Sequence, residues 1–83
     1  LNHRMNEIAL SYVTITYHKP IVYMVFKEDV ELGFPEVKEL TAYAEQVSNY
    51  TPYLTLSDVR ANVNVTNEGK RYLEDLNNLP YFR

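Results

Sequence analysis

Eighty-three residues leave room for one domain built on one core, and 46% of them are hydrophobic, enough to fill it. No apolar run approaches the ~20 residues of a membrane-spanning helix, and a net charge of −3 works against general nucleic-acid binding, which draws its affinity from neutralised phosphates. Cysteine is absent, which excludes disulfides, thiol nucleophiles and thiolate metal sites and fits a reducing compartment, so a cytoplasmic location is expected.

Glu7 to Tyr17 is dense in β-branched and aromatic residues. Val13, Ile15 and Tyr17 share one face and Thr14 and Thr16 the other, the alternation of a half-buried strand. Ile8, Leu10 and Tyr12 hold the opposite phase, which predicts one long strand with a bulge or bend near Tyr12–Val13. His18, Lys19 and Pro20 make the turn. Ile21 to Phe26 is apolar without a break, the pattern of a central strand covered on both faces, or packed on one and closed on the other by a partner. Lys27 to Gly33 reads as a polar connection. Its Glu28, Asp29 and Glu31 lack the glycine and oxygen density of a calcium loop.

Pro35 suits the first turn of a helix, and Glu36 and Glu39 put negative charge where the helix dipole favours it. Val37, Leu40, Ala44 and Val47 form a stripe that Tyr43 widens. They predict an amphipathic helix of about four turns, stopping near Ser48–Asn49 ahead of Pro52. Leu54 to Asp58 is the next strand. A strand, a helix and a strand in succession imply a right-handed crossover, with Leu54–Asp58 parallel to Ile21–Phe26. Val63-Asn64-Val65 is a short extended piece, and Thr66 or Asn67 caps a last helix. Tyr72, Leu73 and Leu76 give that helix its apolar stripe, and Gly69 lets it approach the sheet closely. Leu79 to Phe82 is apolar again. The predicted class is α/β bordering on α+β, a single domain over residues 1–83. It has a mixed sheet of three to four strands, helices on one face and the order β-β-α-β-(β)-α.

Residues that carry chemistry are sparse. His3 and His18 are the only imidazoles, and neither has a second ligand or a partner carboxylate at a useful spacing. Asp58 stands at the carboxyl end of a strand, where ligands gather in α/β sheets. Its plainer role is a turn carboxylate that satisfies nearby backbone donors. Arg60 is placed to pair with it. There is no glycine-rich phosphate cradle and no serine nucleophile elbow. No catalytic residue, metal ligand or cofactor is assigned, and an enzyme is the remotest reading.

The succession Leu54-Thr-Leu-Ser-Asp58, Val63-Asn-Val65 and Thr66-Asn67-Glu68-Gly69 resembles the STAS domain of anti-sigma-factor antagonists. There a strand ending in Asp is followed by a short extended piece and an Asp-Ser-Ser-Gly turn that opens a helix. The resemblance covers most of the chain by element order and a few residues by identity. It implies a regulatory, non-enzymatic module that binds a protein partner or a second copy through Asp58, Arg60, Thr66, Asn67, Glu68 and Gly69. Exposed backbone donors at the helix start, and a surface rich in Tyr and Asn, would supply the contacts. The chain departs from the family at Asn67, which stands where the phosphorylated Ser would be. Asn cannot be phosphorylated, and the hydroxyl of Thr66, one position away, is expected to cap the helix. The family fold also carries a further strand and helix, so the domain is expected to be incomplete at its C-terminus or completed by a partner at an uncovered strand edge. The alternative is a domain that binds a small apolar ligand or lipid in a pocket lined by the apolar second strand and the tyrosines.

Overall fold

In the computed structural model, whose described residues are 7–58, 60–75, 79 and 81, the apolar run Ile21–Phe26 (β3) lies inside a four-stranded sheet. On one side it pairs antiparallel with β2 (Val13–His18), which is flanked in turn by β1 (Glu7–Ala9), also antiparallel. On the other side it pairs parallel with Leu54–Asp58, the fifth strand (β5). The register sets Ile21 against Leu54 and Val25 against Asp58. Parallel pairing requires a crossover, and α1 (Phe34–Val47) provides it. The sheet order is β1-β2-β3-β5, a mixed sheet as expected, in a small fold of the α/β to α+β class.

Pleating sends Val13 and Ile15 of β2 and Val22, Met24 and Phe26 of β3 to one face, where α1 buries Val37, Leu40, Ala44 and Val47 against them. Fully burying each valine, leucine, isoleucine, methionine or phenylalanine among them stabilises the fold by about 1.5–3 kcal/mol, so this layer holds the molecule together. At the start of α1 the Glu36 carboxylate accepts the Gly33 N–H at 2.9 Å, and a proline occupies the first turn. After its end, Asn49 and Tyr50 take φ of 58° and 57°, and the Tyr50 N–H returns to the Glu45 carbonyl at 2.8 Å. The second helix, α2 (Asn67–Glu74), packs against α1 on the same side of the sheet. No helix among the described residues is long and apolar enough to cross a membrane.

Three expectations change. Glu7 to Tyr17 is two strands rather than one bulged strand. The chain reverses through Leu10–Tyr12, with the Leu10 N–H on the Val13 carbonyl at 2.8 Å. The reversal sets Ile8 opposite Ile15, so both face the core and the change of phase needs no extra residue. His18 belongs to β2, which leaves the turn to Lys19 and Pro20. The connection after β3 holds a further strand, β4 (Val30–Leu32). It pairs parallel with Val63–Val65 (β6) in a separate two-stranded sheet and buries Leu32. Of the two arrangements that its apolar run allowed, β3 has cover on one face among the described residues. Its other face, with Ile21, Tyr23 and Val25 beside Leu54 and Leu56, carries neither helix, and Leu54 and Leu56 are 45% and 58% exposed. Leu76 and Phe82 lie outside the described residues.

Candidate functional site

The six residues expected to form a site fall into two local groups. Asp58 and Arg60, two apart at the end of β5, are bonded to each other. Arg60 Nη2 lies 2.7 Å from Asp58 Oδ2, Nε lies 3.0 Å from both carboxylate oxygens, and the Arg60 N–H donates to Oδ1 at 3.1 Å. Donation from the Arg60 side chain, then from its backbone N–H, holds the Asp58 carboxyl below its usual range. Arg60 is 87% exposed and water screens the pair, so it shapes a turn more than it stabilises the fold.

The second group lies at the start of α2. Thr66 is the N-cap: its Oγ1 accepts the Gly69 N–H at 3.1 Å, its carbonyl accepts the Lys70 N–H, and its own N–H donates to the Leu32 carbonyl at 2.9 Å. Gly69 is buried. A Cβ there would come within 2.9 Å of the Leu32 carbonyl oxygen and 3.0 Å of Val65, so the helix can approach β4 and β6 only with a glycine at the contact. Asn67 and Glu68 are exposed on the first turn. The bonds between Asp58 and Arg60 stay within the first group, and those of Thr66 run within α2 and to β4. The helix start is therefore less open than its sequence suggests, since the Gly69 donor is already capped. His18 is exposed at the end of β2 and meets the Tyr23 ring edge-on at 5.7 Å; His3 lies outside the described residues.

A different surface is open. β5 is the last strand of its sheet, and along a parallel strand successive residues turn their N–H and C=O to opposite sides. The Leu54 N–H bonds the Pro20 carbonyl at 2.8 Å, so Leu54, Leu56 and Asp58 face β3, while Tyr53, Thr55 and Ser57 face away. Tyr53 is met there by Tyr81, whose carbonyl accepts its N–H at 2.8 Å. The outward main-chain groups of Thr55 and Ser57 have no ladder partner among the described residues.

The side chains divide the other way. Leu54 and Leu56 stand on the uncovered face. Tyr53, Thr55 and Ser57 point inward over a mostly apolar cavity of about 400 Å³, walled by Met24, Phe26 and Leu40 and reached by Leu73 and Leu79. The sequence led us to expect an uncovered strand edge but did not say that β5 would carry it. The signal was the alternation of Leu54 and Leu56 with Thr55 and Ser57, which reads as leucines inward until the register with β3 shows them outward.

No family model, no curated protein and no solved structure matches the chain.

Proposed function

We propose that this chain is a non-enzymatic, STAS-like protein-interaction module of the cytoplasm that docks a protein along β5. One observation carries the reading: Thr55 and Ser57 present outward main-chain groups that have no ladder partner among the described residues, beside the exposed side chains of Leu54 and Leu56. An extended segment laid on such an edge gains main-chain hydrogen bonds, and its alternate side chains find pockets on either face. Here one set would enter the cavity behind Thr55 and Ser57, and the other would cover Leu54 and Leu56. Asp58 and Arg60 mark the end of the docking strand.

The test is a selection of binding peptides from a displayed random library. The selected peptides should lose at least tenfold in affinity when Leu56→Lys places a charge on the edge, and should be indifferent to Asn67→Arg at the start of α2. Both positions are exposed, so neither change should move the thermal midpoint appreciably. The reverse pattern would relocate the site to the helix start.

The cavity favours a second reading, binding of a small apolar ligand, because about 400 Å³ of apolar lining matches the size of many ligand pockets. An apolar fluorophore that binds the chain, is displaced when Ser57→Phe fills the cavity and ignores Leu56→Lys is the result that favours it.

A further inference from the structure

We propose that the partner along β5 is a second copy of this chain, paired antiparallel, β5 to β5, about a two-fold axis through Leu56. The inference rests on the reading of β5 as the docking edge and names its occupant.

The hydrogen-bonding pattern of the edge is self-complementary. Its two outward-facing residues, Thr55 and Ser57, lie one on either side of Leu56. A two-fold axis through Leu56 sets Thr55 of each copy opposite Ser57 of the other. Residues opposed in this way exchange two N–H···O=C bonds, so two such pairs satisfy the outward donors and acceptors of both residues in both copies. Leu56 then meets itself at the closer, non-hydrogen-bonded position, about 4.5 Å between Cα atoms, and its 58%-exposed side chain is covered by its own counterpart. The patch formed by Ile21, Tyr23, Val25 and Leu54 continues across the axis into the same patch of the second copy.

The charges agree with this register. Asp58 of one copy falls opposite Leu54 of the other, so no like charges face each other, and Asp58 is already neutralised by its own Arg60 at 2.7 Å. The ends fit as well. Tyr81 occupies the edge at Tyr53, so an incoming strand must leave the ladder beyond Leu54. The residue opposite Leu54 is Asp58, where the carboxylate takes the Arg60 N–H and turns the chain off the strand.

The two edges of the sheet differ in how they are guarded. Sheet edges are usually blunted by shortness, by charge, by proline or by a bulge. Among the described residues β1 runs from Glu7 to Ala9 and so opens on a charge. β5 has no charge, proline or bulge from Leu54 to Ser57. A five-residue edge buries less than the roughly 1,200 Å² of a standard interface, so the pair is a transient dimer formed at high protein concentration.

The experiment is sedimentation equilibrium on the full 83-residue chain, in a concentration series reaching about 1 mM, with thermal midpoints as the folding control. The chain should show a monomer–dimer equilibrium. Leu56→Lys and Leu56→Glu should each weaken it at least tenfold, because each puts like charges opposite across the axis. An equimolar mixture of the two variants should dimerise again. A wild-type chain that stays monomeric throughout overturns the proposal. So does a dimer that survives both substitutions, or a mixture that stays monomeric. If the chain is monomeric while selected peptides still depend on Leu56, self-pairing falls and the docking edge stands.

Discussion

Tyr53 sits where α1 hands the chain to β5, with its ring buried and its N–H held by Tyr81. Burial first, then the neighbouring Glu45 carboxylate, pushes its hydroxyl up to about 12. An unfolded tyrosine gives up its proton near 10, so between these values the folded chain holds a proton that the unfolded chain has lost. The stabilisation is complete below about pH 10 and is lost as pH rises through about 12. The thermal midpoint should therefore fall steeply above pH 10, and Tyr53→Phe should flatten that fall. Midpoints across the alkaline range for both proteins check this, and equal slopes would contradict it. Tyr12, raised by burial and then by Glu39, accounts for slope that remains. At this scale the roles of Thr66 and Asp58 were legible, because capping and turn chemistry depend on neighbours within three residues. The direction of Leu54 and Leu56 was not, because it depends on a strand some thirty residues away in the chain.

Among the elements, α2 depends on one residue for its place. Alanine is a better helix former than glycine by about 1 kcal/mol, so Gly69→Ala would stabilise α2 if the helix stood alone. In the fold, the added Cβ meets the Leu32 carbonyl oxygen at 2.9 Å, Val65 Cγ1 at 3.0 Å and Val37 Cγ2 at 3.1 Å. The first of these is backbone and cannot rotate away. Denaturant unfolding should show a net loss of about 1–3 kcal/mol, and a gain would mean that α2 does not press on β4. The stripe of α1 and the parallel β3–β5 pair were legible because fourteen helical residues and two apolar strands carry strong periodic signals. The β1–β2 reversal was not, since a bulge and a hairpin leave the same shift of phase in the sequence. β4 escaped because three residues make too short an alternation, and Val30 and Leu32 gain their burial from β6 and the core rather than from their neighbours.

At the scale of the whole molecule, among the described residues, one side of the sheet is closed by helices and the other carries none, and one edge, β1, begins with a charge while the other, β5, has none before Asp58. These two asymmetries meet at β5, and the functional reading follows from their meeting. The sequence pointed to Asp58 through Gly69 because residue types advertise turns and caps, and the structure shows Thr66 and Asp58 already engaged locally. An unpaired edge has no residue signature of its own, so only the sheet order exposes it. Amide exchange measured residue by residue along Leu54–Asp58, in protein dilute enough to be monomeric, tests that claim most directly. The account predicts slow exchange at Leu54 and Leu56, bonded to β3, and fast exchange at Thr55 and Ser57. Equal protection at all four positions would mean that the edge is already covered, and the docking surface would not exist.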